Sequence, residues 1–418
     1  MKILFFVSQF PCTSETFVLN QVTSMIDKGH DVRIYSYGIG DKNCLHKDIE
    51  TYELPQRTWY LERPVPPSHI KRFIKIAPDL MRMVKKYGFK ALRLLNPKYG
   101  HVINSLNLLQ SYIALRFMHS NWTPDAIVSH FGDNGILITA LRNAGIIPQT
   151  TKCFTYFHAH EICRMDVKQT AKFYGAMFNE YDVLLPINHL WKKQLIDAGA
   201  NPQKVKVLRM GVDLERFKYI ENNTIGETVN ILSVGRLCGQ KGFEYAIRGV
   251  AEYARSAGKK ISYKIIGCGE LENKLKALAS ELNATDYIHF LGVQPQQIVT
   301  KEMEKANIFL LPSVTDEAGF MEGIPVALME AMARGLVCIP TYHSGIPELI
   351  DNGVSGYLCN EKNSEDIAHL LSQIASLSSA QFDVIRQNAR IVVENDFDVV
   401  KETMKLQKLI EESINCGM

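Results

Sequence analysis

One stretch constrains this chain more than any other, the run from Asp316 to Tyr357, in which Glu322 and Glu330 stand eight residues apart. Glu322 lies in a polar loop with Gly319, Phe320 and Met321, and Pro325 then introduces the apolar run Val326 to Arg334. Proline suits the start of a helix, where its missing N–H costs nothing, and Gly335 suits the end. Val337 to Pro340 is a short apolar run of the kind that forms a buried parallel strand, and Ser344 to Glu348 reads as the opening of another helix. A helix start presents unpaired N–H groups and a partial positive charge, which together seat a phosphate. Carboxylates are poor phosphate ligands but good acceptors for sugar hydroxyls. A phosphate seat flanked by two carboxylates therefore suits a nucleotide sugar or a sugar phosphate.

The rest of the chain alternates in the same way. Lys2 to Val7, Val32 to Tyr37, Ala126 to Ser129, Cys153 to Phe157, Val183 to Ile187 and Val205 to Leu208 read as strands of one sheet. Asn230 to Val234, Tyr263 to Ile266, Ile288 to Leu291, Ile308 to Leu311 and Val337 to Pro340 read as strands of a second. Helical segments between them make the class α/β, with two doubly wound, Rossmann-like domains. Ligands of such sheets bind at the carboxyl ends of the strands. Ser14 and Glu15 follow the first strand, and His130 and His158 end two others. Ser14 also suits a helix cap, and strand-end histidines are as readily structural as ligand-facing.

In the second sheet Arg236 and Lys241 bracket a strand–helix turn, where a planar fork and a point charge can clamp a diphosphate. Gly267 and Gly269 follow the next strand and permit close approach of a ligand to the backbone. His158, His160 and Glu161 have no further ligand cluster near them in sequence, and Asp396 and Asp398 stand where helix capping explains them, so neither group is assigned a metal. No cofactor is expected beyond the donor itself.

The strings E-G-I-P-V-A-L-M-E-A-M-A and S-G-I-P-E-L, the Arg236–Lys241 pair and Met210-Gly211-Val212-Asp213 with Phe217 resemble the retaining GT-B glycosyltransferases of family 4. They are most similar to the bacterial branch that builds colanic acid, other exopolysaccharides and capsules. The resemblance spans nearly the whole chain, although Met210 replaces the usual Asn and the first loop lacks the Gly-Gly of some relatives. It implies two domains facing across a cleft and a nucleotide diphosphate sugar as donor, UDP being the commonest nucleotide. It further implies retention at the anomeric carbon and a lipid-linked oligosaccharide acceptor. Arg236, Lys241 and the helix start near Phe320 to Pro325 would then hold the diphosphate. Glu330 would meet the ribose, Glu322 and His158 the sugar, and the backbone near Val293 the base. The loop with Ser14 and Glu15 would approach donor or acceptor. A GT-B sugar phosphorylase, or a non-catalytic sugar- or nucleotide-binding partner of an assembly complex, are the alternatives.

The implied domains are 1–217, a linker at 218–228, 229–395, and a terminal helix at 396–418 that returns to the first domain. Within the first, a basic helical insert at about 57–118 interrupts the alternation. Its lysines and arginines alternate with Ile70, Phe73, Ile74 and Met81, a pattern suited either to an anionic membrane face or to a packed helix with a solvated basic side. A net charge of +3 is too mild to argue for nucleic acid, so any basic surface is local and no nucleic-acid partner is expected. Nine scattered cysteines without metal spacing fit reduced thiols in a cytoplasmic protein, and no run approaches the roughly 20 apolar residues of a spanning helix.

Overall fold

The structure, a computed structural model, describes residues 1–12, 15–40, 47–96, 108–221 and 223–415. Ser14 lies outside them. The chain divides into two compact units, Met1–Leu208 with Thr403–Met418, and Arg209–Glu402.

The first unit runs β1 (Lys2–Phe10), α1 (Thr16–Asp27), β2 (Asp31–Ile39), α2 (Lys47–Thr51), α3 (Leu54–Arg57), β3 (Thr58–Tyr60), α4 (His69–Tyr87), α5 (Leu109–His119), β4 (Ala126–Ser129), α6 (Gly132–Asn143), β5 (Lys152–Phe157), α7 (Val167–Glu180), β6 (Val183–Pro186) and α8 (His189–Asp197). Its strands pair in parallel in the order β3-β2-β1-β4-β5-β6. Ile3 to Val7, Ala126 to Ser129 and Cys153 to Phe157 are buried, as expected of parallel strands covered on both faces. An Asp166–Gln169 capping box starts α7, and the Asn188 side chain caps α8.

The second unit runs β7 (Thr228–Val234), α9 (Phe243–Ser256), β8 (Lys260–Ile266), α10 (Glu272–Glu281), β9 (Ile288–Gly292), α11 (Gln296–Lys305), β10 (Ile308–Leu311), α12 (Val326–Ala333), β11 (Val337–Pro340), α13 (Ser364–Ala375) and α14 (Ser379–Asp396). The strands are parallel in the order β11-β10-β7-β8-β9. Helix α15 (Val399–Asn415) begins among residues of this unit and ends among those of the first.

Several local expectations are corrected. The segment 57–118 is more than an insert: Thr58–Tyr60 forms the edge strand β3 on β2, and α5 is almost wholly buried. Val205 to Leu208 forms a single bridge to Leu184 instead of a strand. Ser344 to Glu348 opens no α-helix, only a 3₁₀ turn at Ile346–Glu348. There the chain doubles back, and the N–H groups of Tyr357 and Cys359 bond the carbonyls of Cys338 and Pro340 beside β11 at 2.9 Å each. The polar stretch 218–228, read as a linker, is fastened to the second unit. Asn223 is buried and bonds Ala306 and Asn307.

Candidate active site

Each sheet has one point where the strand order reverses, between β1 and β4 in the first unit and between β7 and β10 in the second. Loops diverge there and leave room for a ligand. In the second unit the two loops are those with Arg236 and Lys241, after β7, and with Glu322, after β10.

These loops pack backbone against backbone. Gly242 has φ 65°, and a methyl group built on it would lie 1.8 Å from the carbonyl oxygen of Pro312. Gly267 has φ 140°, and its methyl would lie 1.9 Å from the carbonyl oxygen of Gly235. Only glycine fits either place. Leu237 N–H donates to the Cys268 carbonyl at 2.8 Å, and Leu271 N–H to the Leu237 carbonyl at 3.0 Å, so the loop with Gly267 and Gly269 is sewn to the loop after β7. Gly267 N–H reaches the Gly292 carbonyl at 2.9 Å, and Val293 beyond it is exposed.

Charge is gathered on this platform. The Lys241 Nζ lies 2.9 Å from Glu322 Oε2. The lysine stem runs beside Gly235, where an added methyl would meet Lys241 Cε at 3.5 Å. Cys238, then Glu270 and Glu322, further favour the charge on Arg236. Arg236, Lys241 and Glu322 are thus brought together on the loops that follow the neighbouring strands β7 and β10.

The loop before α12 is more internally bonded than the sequence suggests. Asp316 Oδ1 accepts from the N–H groups of Ala318 and Phe320, both at 2.9 Å, and Gly319 N–H donates to the Asp316 carbonyl at 3.0 Å. The Gly319 and Phe320 N–H groups are therefore engaged, whereas a helix start near Phe320 was expected to offer them. Met321 is half-buried beside them. Pro325 is the N-cap of α12, and the first N–H taken up inside the helix is that of Leu328, at 3.1 Å. The N–H groups at the mouth of the helix are those of Val326 and Ala327. Most of α12 is core, with Leu328, Met329, Ala331, Met332 and Ala333 buried. Glu330 keeps partial access to solvent, and burial pushes its carboxyl up to about 7 against the pull of Arg216.

Two residues here were missed by sequence reasoning. His343 Nε2 lies 3.0 Å from the backbone nitrogen of Glu322, and His343 Nδ1 lies 2.5 Å from Glu361 Oε1. A histidine just past strand β11 is the same signal that singled out His130 and His158. Glu361 carries no such signal.

The first unit gathers Glu15, His130 and His158 around its own switch point. His130 Nδ1 and His158 Nε2 are 3.1 Å apart, His130 stacks on Tyr156 at 4.9 Å, and Phe17 and Phe131 lie 4.8 and 4.6 Å from the His158 ring. Burial lowers the His158 pKa to about 3, and burial together with His158 puts that of His130 well below its ordinary value. Glu161 serves the backbone: it accepts from the N–H groups of His158 at 2.8 Å, Ala159 at 3.2 Å and Gly132 at 3.3 Å. Glu15 stands at the N-cap of α1 without a side-chain cap bond, its carboxyl raised to about 7 by burial.

Residues 215–391 match the family described as glycosyl transferases group 1. The chain is 34% identical to a putative colanic acid biosynthesis glycosyltransferase, WcaL, of Salmonella typhimurium, over 98% of this chain and 100% of that one. It is 36% identical to the amylovoran biosynthesis glycosyltransferase AmsK of Erwinia amylovora, over 98% and 99% of the two chains. In structure it is similar to Anabaena Alr3699/HepE, solved in complex with UDP, with a TM-score of 0.71 at 14% identity, covering 99% of this chain and 100% of that one. The last likeness carries the fold, which is GT-B. With full-length relatives above 30% identity, the chain belongs to the group 1 glycosyl transferases and is a glycosyltransferase.

Proposed function

We propose that this enzyme transfers a sugar from a UDP-sugar to a lipid-linked oligosaccharide during assembly of a bacterial surface polysaccharide. Transfer proceeds with retention at the anomeric carbon and without a metal ion. The observation that carries the reading is the convergence of Arg236, Lys241 and Glu322 at the switch point of the second sheet. The names of the colanic acid and amylovoran relatives support the pathway class, and the fold neighbour solved with UDP supports the nucleotide.

Breaking the sugar–diphosphate bond develops negative charge on the leaving group. Fixed cations aimed at that charge are the largest catalytic contribution we assign. Arg236 and Lys241 supply the cations, and the backbone N–H groups at the mouth of α12 add a partial positive charge, in place of a metal. Glu322 accepts hydrogen bonds from the sugar, Glu330 from the ribose, and the backbone at Gly267, Gly269 and Val293 lies along the nucleotide. His158 serves the sugar, while His130 and the loop with Glu15 serve the acceptor side. The acceptor hydroxyl oxygen attacks the anomeric carbon on the face from which the diphosphate departs, and its proton passes to a leaving phosphate oxygen. No covalent intermediate with the enzyme is needed.

A cytoplasmic location with contact at the inner face of the membrane completes the proposal. Among the described residues no helix is long and apolar enough to cross a membrane. Helix α4 packs inward through Ile76, Leu80 and Met83 and also carries an outward apolar stripe, Ile70, Phe73, Ile74 and Met81, with Ile70 73% and Met81 74% exposed. Lys71, Lys75 and Lys85 flank that stripe at helical spacing, an arrangement suited to anionic headgroups.

Calorimetric titration with UDP, GDP and ADP tests the donor reading. UDP binding that Lys241→Ala weakens is expected. Absence of binding by any of the three would refute it.

A further inference from the structure

We propose that His343, held by Glu361, is a positioning residue that sets the loop carrying Glu322; the inference rests on the donor reading above. The imidazole is fully buried. Its Nε2 lies 3.0 Å from the Glu322 nitrogen, and a backbone N–H can only donate. Nε2 must therefore accept through its lone pair. That leaves the single ring proton on Nδ1, directed at Glu361 Oε1 2.5 Å away. A doubly protonated ring would set a donor against the donor of Glu322, so the geometry selects the neutral Nδ1–H form.

The relay does not stop at the ring. Glu361 Oε2 accepts from the N–H of Thr315 at 2.9 Å. Thr315 and Glu322 lie at opposite ends of the loop that Asp316 closes from inside. Glu361 thus grips one end directly and the other through His343. The Thr341 hydroxyl donates to the Ser313 carbonyl and adds a third tie between the same two segments. Ser344, the residue after the ring, has φ 47°, a left-handed conformation that a side chain adopts at a cost.

The bond from the ring goes to the backbone of Glu322, and the Glu322 carboxylate pairs with Lys241. Moving that backbone moves a group assigned to the sugar relative to a group assigned to the diphosphate. A misplacement of about 1 Å in such a site costs on the order of 100-fold in rate.

Two substitutions separate the relay from general damage. His343→Leu removes the acceptor, and His343→Gln restores one, an amide oxygen near the place of Nε2. With UDP-glucose and UDP-galactose as probes, His343→Leu is expected to lower kcat for UDP release roughly 100-fold. Calorimetric UDP affinity should be retained, and His343→Gln should recover most of the rate. Wild-type turnover in His343→Leu, or equal loss in both variants, would overturn the relay. If wild-type protein releases UDP from neither probe, the nucleotide titration above decides the donor reading, and the relay is judged on the protein alone by histidine ¹⁵N NMR, with His343→Gln assigning the ring. An Nδ1–H tautomer at neutral pH supports it, and an Nε2–H or charged ring overturns it.

Discussion

Lys241 and Glu322, 81 residues apart in sequence, form an ion pair of 2.9 Å, with only 15% and 17% of their side chains exposed. One is assigned to the diphosphate and the other to the sugar, and within the pair their charges offset each other. An arriving diphosphate must compete with Glu322 for the lysine. Glu322→Gln is expected to bind UDP about 5-fold more tightly, the equivalent of ~1 kcal/mol for a pair with some solvent access. Its turnover should fall by roughly 100-fold or more, as for loss of one oriented group at the reacting centre. Calorimetry and UDP release read the two effects separately. Weaker UDP binding in the variant would contradict the competition.

The two cations are not equivalent. Arg236 offers a fork and Lys241 a point charge. Lys241→Ala should cost about 10-fold or more in UDP affinity, the scale of a hydrogen bond to a charged group. Arg236→Lys should bind UDP nearly as well while turning over at least about 10-fold more slowly, because the fork is lost and the charge is kept. Titration and initial rates on the same preparations check both, and an Arg236→Lys enzyme with full turnover would remove the fork from the mechanism.

Gly242→Ala and Gly267→Ala should each destabilise the protein by ~2 kcal/mol or more, since both positions combine a left-handed φ with a backbone oxygen within 2 Å of the added methyl, at 1.8 and 1.9 Å. Gly258→Ala meets nothing within 4 Å and serves as the control, with a change of no more than about 0.5 kcal/mol. Denaturant midpoints for the three variants decide the matter.

His130 and His158 both have native pKa values below the ordinary 6.5. As pH falls below 6.5 the unfolded chain takes protons that the native rings refuse, so stability present above 6.5 is lost toward lower pH. The raised carboxyls Glu15, Glu161 and Glu330 act in the opposite sense over the same range, because protonation favours them in the folded state. The net slope therefore mixes signs, and a difference between variants isolates one group. Melting temperatures of His130→Phe between pH 8 and pH 5 should fall less than those of wild type. Parallel curves would show that the ring is not the source.

Vesicles test the outward face of α4. Phe73→Glu with Ile74→Glu should abolish sedimentation with vesicles of anionic lipid and leave the melting temperature unchanged, because both side chains are exposed. Lys71→Gln with Lys75→Gln should weaken binding and reduce its salt sensitivity. Wild-type binding to neutral and anionic vesicles alike, or to neither, would exclude the membrane face.

Much of this fold is legible in the sequence where apolar runs are short and sharply bounded. Ala126–Ser129, Ile308–Leu311 and Val337–Pro340 are strands with the ends their flanking residues suggest. Arg236, Lys241 and Glu322 meet because β7 and β10 are neighbours in the sheet; alternation puts their loops on the carboxyl edge but does not give that strand order. Strand β3 was not legible: three residues carry no period, and their pairing with β2 is decided by tertiary contact. The helix expected at Ser344 yields to a chain reversal whose bonds to Cys338 and Pro340 are equally non-local. His343 and Glu361 lie 18 residues apart, and no local pattern joins them.

The glycine-to-carbonyl contacts at Gly242 and Gly267 have a practical corollary for anyone redesigning donor choice. Positions sealed against neighbouring main chain admit no diversity without loss of stability, so random libraries spread over them would return mostly destabilised clones. Under the proposed donor reading, useful variation belongs at side chains not sealed in this way, such as Val293, 68% exposed just past β9, and the half-buried Met321. The inherited scaffold concentrates its evolvability in a few projecting side chains and withholds it from the floor beneath them.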